Sequence, residues 1–284
     1  MVKKFFTLGL VVLLAVSLLV TGCSSKPAAE PQKPAEGGQP AEQGQAQQPA
    51  EQPVLRVGFN AAFPPFESVN DKGEFEGFDV DLANALGKEL GMKVEFTDVA
   101  WETIFAGLLA KKYDVIISGV TITDERKEKM NFSDPYFEAG QVIMVRKDYD
   151  GIKSEKDFAG KKLGVQISTT ADEVLTRMQE GTGEYAGKKV DIKEIKRYDN
   201  YPQAFLDLQN GNLDAVVVDL PVGVPYANKH ADKVKLVSDK PFVAEYTGIA
   251  LRKEDTDLLN KINAALKKFK EDGTYQQIYD KWFK

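Results

Sequence analysis

The 284-residue chain has room for one large domain or two ordinary ones, and its 43% hydrophobic and 28% charged residues exclude a disordered or collagen-like protein. Acidic residues exceed basic ones by 43 to 37, so the chain lacks the positive field that nucleic acid or an anionic membrane surface requires. One cysteine and one histidine exclude an internal disulfide, most metal sites and any histidine-dependent triad that does not use His230.

At the N-terminus, Lys3 and Lys4 precede an apolar stretch, Phe5 to Val20, that is short for a bilayer-spanning helix and suits a secretory signal. It closes on Leu19-Val20-Thr21-Gly22-Cys23, which resembles the lipobox of bacterial lipoproteins. The resemblance implies a lipoprotein signal peptide over residues 1–22 and a lipid on Cys23; the alternative is an incidental thiol after an ordinary signal. Residues 24–53 are rich in Pro, Gln and Ala and hold no Val, Ile, Leu, Met, Phe, Trp or Tyr, so with Cys23 they read as a tether without a core. Lys3, Lys4, Lys26 and Lys33 balance Glu30, Glu36, Glu42 and Glu51, which leaves the whole net charge of −6 on the folded part, residues 54–284.

Within that part, apolar runs alternate with amphipathic stretches, the pattern of an α/β fold with largely parallel strands. Val54 to Phe59 reads as a strand. Asp79 to Leu90 reads as a helix, with Val80, Ala83, Leu86 and Leu90 on one face and Gly91 as its stop. A strand at Val94 to Phe96, a helix at Trp101 to Ala110 and a buried strand at Asp114 to Ser118 follow. The alternation continues through Lys162 to Gln166, Thr170 to Met178, Val190 to Ile195, Tyr201 to Leu208 and Asp214 to Val218. Leu258, Ile262, Ala265, Leu266 and Phe269 then line a helix that Gly273 stops, and Thr274 with Gln277 predicts a capping box for a last helix bearing Ile278, Tyr279 and Trp282.

An internal echo runs through this pattern: Phe105, Leu108 and Asp114 recur as Phe205, Leu208 and Asp214, each set before an apolar strand. Gly119 and Asp219 then fall at the same register beyond the two strands. Ligands of open α/β sheets bind beyond the C-terminal strand ends, so two such ends facing one another would form a cleft.

The segments VGFNAAFPPFE (57–67), GFDVDLANAL (77–86), SGVTITDERKEKMNFSDPYF (118–137), GVQISTT (164–170), NGNLDAVVVD (210–219) and DGTYQQIYDKWF (272–283) resemble the extracytoplasmic amino-acid-binding proteins of ABC importers, the family-3 solute-binding proteins. The resemblance covers residues 54 to 284. It implies an α/β fold of the type II periplasmic-binding-protein kind, with two Rossmann-like lobes (54–142 with 246–284, and 143–245) closing on a free amino acid. The crossover strands would lie near Gln141 to Arg146 and Ala244 to Ile249.

An amino acid zwitterion needs a cationic fork for its carboxylate, an acid for its ammonium and walls for its side chain. Arg126 is the candidate fork, near Gly119 and Thr121 in GVTITDER, unless it is an exposed arginine of the charged run Glu125 to Glu128. Asp219 ends an apolar strand and suits an ammonium or, equally, the cap of a helix opened by Pro221. Thr169 and Thr170 open a helix with Glu173 at capping-box spacing from Thr170, so they either cap it or bind the carboxylate there. The resemblance implies aromatic walls at Phe63 and Trp101, which could instead be core. It also puts Asn60 where many relatives carry an aspartate, and Gln166, read either as reaching the ligand's distal group or as an exposed strand residue, on the other lobe. With no Lys or Arg among the side-chain positions, acidic ligands should be rejected; neutral polar ones such as glutamine rank first and cationic ones, helped by acids such as Glu67, second.

The expected function is capture of a polar amino acid outside the cell and its delivery to a membrane permease, with no catalysis, cofactor, metal or nucleic acid. The chain is expected to be a monomer held to the bacterial membrane by its lipid alone. Alternatives are an enzyme on the same fold, such as a dehydratase with Glu67, Glu102 or Glu138 as general acid, a sensor domain, for which no further segment follows Lys284, or an adhesin.

Overall fold

The computed structural model describes residues 52–284; the signal peptide, Cys23 and nearly all of the tether lie outside the described residues. β1 (Val54–Phe59) is followed by a small meander of β2 (Ala62–Phe63), β3 (Glu67–Val69) and β4 (Phe75–Glu76), then by α1 (Phe78–Leu90), β5 (Lys93–Asp98), α2 (Trp101–Leu109), β6 (Val115–Ile116), α3 (Asp124–Lys129) and β7 (Asn131–Phe132). β8 (Phe137–Arg146) leads into β9 (Lys162–Gln166), α4 (Thr170–Glu180), β10 (Glu194–Tyr198), α5 (Tyr201–Gln209), β11 (Ala215–Asp219), α6 (Leu220–Lys229) and β12 (Val234–Leu236). β13 (Val243–Thr247) leads back to β14 (Ala250–Leu251), α7 (Thr256–Asp272) and α8 (Thr274–Phe283).

Two sheets result. The first has the order β5-β1-β6-β14-β7 and the second β10-β9-β11-β8-β12, each parallel in its first three strands. β8 and β13 run antiparallel from Phe137 opposite Thr247 to Gln141 opposite Val243, and carry the chain from one sheet to the other and back. Alternation along the strands sends side chains to helices on both faces. In β11, Val216 and Val218 pack with Tyr201, Phe205 and Leu208 of α5, whereas Ala215 and Val217 pack with Val174, Leu175 and Met178 of α4. In the first sheet, Leu55 and Val57 meet Leu82, Leu86, Ile262 and Leu266, while Ile116 faces Ile104 and Leu108 of α2. The last helix docks through Phe283, which packs edge-on to Phe66 and Phe78, and through the Trp282 indole N–H, which donates to Asp81 (2.7 Å).

Three local expectations change. The strand expected at Val190 to Ile195 forms at Glu194–Tyr198 instead, because Ile192 is drawn under α4 and the Val190 N–H donates to Met178 O (2.8 Å) before the chain can pair with β9. The cap of α4 is Thr169, whose hydroxyl accepts the Asp172 N–H, so Thr170 is already the first helical residue. No capping box opens α8: Gly273 takes the cap position with φ +84°, and the Thr274 N–H donates to Asp272 Oδ1 (2.9 Å).

Candidate functional site

A cavity lies between the two sets of strand ends. The first lobe contributes Asn60 from the end of β1, Phe63 of β2, Trp101 at the start of α2, Gly119 and Thr121 beyond β6, and Arg126 of α3. The second contributes Gln166 at the end of β9, Thr169 and Thr170 at the opening of α4, and Asp219 at the end of β11. All ten residues singled out in the sequence thus line one cavity, with Glu67 and Ser118.

Gly119 has φ +53°, and a Cβ there would stand 2.8 Å from the Phe63 ring, so only glycine fits this turn at the cavity wall. The turn leads into α3, which Thr123 caps by accepting the Arg126 N–H (3.2 Å). Arg126 is not an exposed member of its charged run: it is 8% exposed, because its guanidinium lies over the rings of Phe105 (5.0 Å) and Trp101 (5.8 Å). Its Nη1 donates to Thr121 O (2.9 Å), and its buried Nη2 has no hydrogen-bond partner, with Glu173 Oε1 at 3.9 Å. Burial pulls the guanidinium below its ordinary pKa, which the charges of Glu173, Glu245 and Asp219 only partly offset.

Across the cavity Asp219 is 9% exposed. It occupies the cap position of α6 without a side-chain capping bond, so its carboxyl remains available. The Gln141 amide nitrogen donates to it (2.8 Å) and also lies within hydrogen-bond distance of Glu245 (2.9 Å) and Thr170 (3.1 Å). Burial first, and then the charge of Glu245, pushes the Asp219 carboxyl well above the usual range. No ion pair joins Arg126 to Asp219 among the described residues. The first turn of α4 adds N–H groups without helical partners and the positive end of a helix dipole.

Contacts between the lobes surround this end. The Trp101 indole N–H donates to the carbonyl of Ser168 (3.0 Å), a residue held at φ +61°, and Phe63 meets Tyr201 with ring centroids 5.8 Å apart. At the other end of the cavity, the Gln166 amide donates to Asn60 Oδ1 (3.3 Å) and Asp199 O (2.9 Å), and Asn60 Nδ2 donates to Val99 O (2.9 Å). Gln166 is buried rather than an exposed strand residue. The Asn60 N–H donates to Ser118 Oγ (3.1 Å), which in turn donates to Glu67 Oε1 (2.6 Å).

Two acids and an amide that support the site escaped the sequence reading. Gln141 and Glu245 lie on the crossover strands, where Thr121 and Thr170 both donate to Glu245 Oε2 (3.1 Å each). The rule that singled out Asp219, an acid in an apolar strand, would have found Glu245 in VAEYT as well. Asp79 was hidden by its place in the first turn of a helix, where an acid is ordinary dipole chemistry. Among the described residues no three His, Cys, Asp or Glu come together to hold a metal ion, and no helix is long and apolar enough to cross a membrane. Of the acids considered for catalysis, Glu102 and Glu138 are exposed outside the cavity.

Residues 55–284 match the bacterial extracellular solute-binding proteins, family 3. The chain belongs to this family. It is 40% identical over 231 residues to a probable histidine-binding protein of Neisseria gonorrhoeae, covering 81% of this chain and 83% of that protein. Two solved structures of an ancestral arginine-binding protein, one bound to arginine and one to glutamine, are each 44% identical and cover 82% of this chain and 99% of theirs, with TM-scores of 0.75 and 0.74. Membership gives the fold its name: two α/β lobes of the type II periplasmic-binding-protein kind, joined by two crossover strands. Family members work outside the cytoplasm, and these relatives are binding proteins.

Proposed function

We propose that this chain captures a free amino acid with a cationic or amide side chain by closing its two lobes over it, and delivers it to the permease of an ABC importer. The observation that carries the reading is a guanidinium and a carboxyl, Arg126 and Asp219, both buried in one cavity and not paired with each other. A zwitterion completes both: its carboxylate takes the free Nη2 of Arg126 with the opening of α4, and its ammonium replaces the proton that burial favours on Asp219. Gly119, Thr121, Thr169 and Thr170 frame that end, and Phe63 with Trp101 wall the side chain.

The distal end alters the ranking drawn from sequence. Both N–H groups of the Gln166 amide are committed to protein oxygens, so this end is dominated by acceptors, with the acid Glu67 also on the cavity wall. A side chain rich in donors, guanidinium or ammonium, therefore ranks ahead of an amide, and a distal carboxylate comes last. Residues 54–142 with 246–284 form one closing lobe and 143–245 the other. Because ligand groups are completed from both lobes only on closure, ligand shifts the hinge equilibrium by its differential affinity for the closed state. The reading requires no catalytic step and no cofactor, and a monomer suffices for it.

A thermal-shift screen over the amino acids tests it, since a ligand of the folded state alone raises stability by about RT ln(1 + [L]/Kd). Arginine, lysine, histidine and glutamine should raise the midpoint at neutral pH while aspartate and glutamate leave it unmoved; no response to any amino acid would refute the reading. The lipobox-like segment ending at Cys23 supports lipid anchoring to the cell membrane through the tether of residues 23–53. Cys23→Ser should abolish partitioning into detergent and leave ligand binding intact.

A further inference from the structure

Beneath the Ser118–Gly119 turn at the cavity wall two carboxyl groups are buried together. Glu67 is 0% and Asp79 1% exposed, and they are neighbours: the Asp79 N–H donates to Phe66 O (2.9 Å), and the adjacent residues Ser118 and Gly119 reach one acid each. Donors surround them unequally: Ser118 Oγ gives one bond to Glu67 Oε1 (2.6 Å), while the Gly119 N–H (2.7 Å) and the Tyr136 hydroxyl (2.9 Å) both go to Asp79 Oδ2. Each carboxyl keeps one buried oxygen, Glu67 Oε2 and Asp79 Oδ1, with no donor from the protein. Two neighbouring carboxyls buried without a cation cannot both stay ionised, so one of them keeps a proton.

The other titratable groups facing the pair are Asp98, Tyr136 and Tyr275, none of them cationic. Among the described residues no Lys or Arg forms an ion pair with either acid, and the arginine of the cavity is held by Thr121. Only protons, or a cation brought by the ligand, can neutralise this site. Glu67 itself lines the cavity.

We propose that the Glu67–Asp79 pair is a proton-linked selectivity site: it keeps one proton throughout, takes up a second in the unliganded protein, and loses that second proton to solvent when a ligand with a cationic side chain binds. A ligand with an amide side chain brings no charge and leaves the second proton in place. The proposal rests on the amino-acid reading given above. Burial raises Asp79 to about 7 and pushes Glu67 well above the usual carboxylate range, so from pH 6 to 8 the pair passes from two protons towards one. Acidification therefore disfavours a cationic ligand, by up to about tenfold per pH unit below that range, and spares an amide.

Calorimetry of the full chain at pH 6, in buffers of different ionisation enthalpy, counts the protons released by arginine and by glutamine. Asp219 releases its proton to solvent when the ammonium of either ligand takes its place, so the difference between the two isolates the pair. Arginine should release about one proton more than glutamine at pH 6, and the excess should vanish by pH 8. Equal release at pH 6 would overturn the proposal while leaving the amino-acid reading standing; failure of both ligands to bind at pH 8 would overturn the reading and the proposal together. The double variant Glu67→Gln/Asp79→Asn, nearly isosteric and permanently neutral, should erase both the excess protons and the pH dependence of the arginine-to-glutamine affinity ratio, and persistence of either would assign the linkage to other groups.

Discussion

Two helix–strand units a hundred residues apart in the chain reach the same cavity from opposite sides. From α2 to β6 the chain carries Phe105, Leu108 and Asp114 and ends on Gly119; from α5 to β11 it carries Phe205, Leu208 and Asp214 and ends on Asp219. In both, the aspartate before the strand clamps the first turn of the neighbouring one. Asp114 accepts the Arg56 N–H (3.1 Å) and its own N–H donates to Arg56 O (2.8 Å); Asp214 does the same with Lys162, at 2.8 Å each way. The units then diverge. Asp114 also pairs with the side chains of Arg56 (2.6 Å) and Arg252 (3.6 Å), whereas Asp214 makes no ion pair among the described residues. Phe105 carries the guanidinium of Arg126, but Phe205 stacks into the core between Tyr201 and Tyr226. One scaffold therefore offers open backbone at one strand end and a buried acid at the other, and the cavity needs both.

The largest expected effect falls on the acid end. Asp219→Asn should cost at least about a hundredfold in amino-acid affinity by calorimetry, because the ligand ammonium would be left buried against a neutral group. Near-normal affinity would remove Asp219 from the site. On the clamps, Asp114→Ala should lower unfolding stability in urea by roughly 2–3 kcal/mol, since it strands two arginines and a backbone N–H, and Asp214→Ala by about 1 kcal/mol. Equal losses would mean that the extra ion pairs of the first unit contribute nothing. At the glycine end, Gly119→Ala should weaken binding by roughly tenfold, through a Cβ pressed on Phe63 at positive φ, with little change in selectivity.

A separate effect is in the pH dependence of the unliganded protein. Asp79 has its pKa raised from 3.8 to about 7, so its contribution is fully present below 3.8 and is lost as pH rises towards 7, at roughly 1.4 kcal/mol per pH unit. Asp114 works in the opposite sense: burial pushes its carboxyl up, but the hydrogen bonds and charge of Arg56 outweigh this and hold it below 3.8, so its contribution is lost only as pH falls through that lowered value. Chemical denaturation of wild type between pH 5 and 8 should therefore show stability falling with pH, and Asp79→Asn should flatten the slope. An unchanged slope would place the titration elsewhere.

Much of this molecule was legible because its periodicities are clean. The helices at 101–109 and 201–209 and the strand at 162–166 follow directly from where apolar residues recur. Glycine, arginine, threonine and aspartate at strand and helix ends marked the cavity lining for the same reason: polar residues at such ends have local chemistry to do. The short meander from Ala62 to Glu76 and the shift of β10 escaped because strands of two or three residues carry no period, and because Val190 and Ile192 look like a strand while packing as a loop.

The sequence by itself determined the order of helices and strands, the tether without a core, the absence of internal disulfides and the choice of residues at the strand ends, since each depends on neighbours within a turn or a few residues. Only the tertiary structure decided that Arg126 is buried against Phe105 and Trp101, that Gln141 and Glu245 meet at Asp219, and that Glu67 and Asp79 share one apolar pocket. Burial and electrostatic coupling are properties of groups brought together across the chain, 104 positions apart for Gln141 and Glu245. No local pattern of residues encodes how much water such groups lose or which charges they then face.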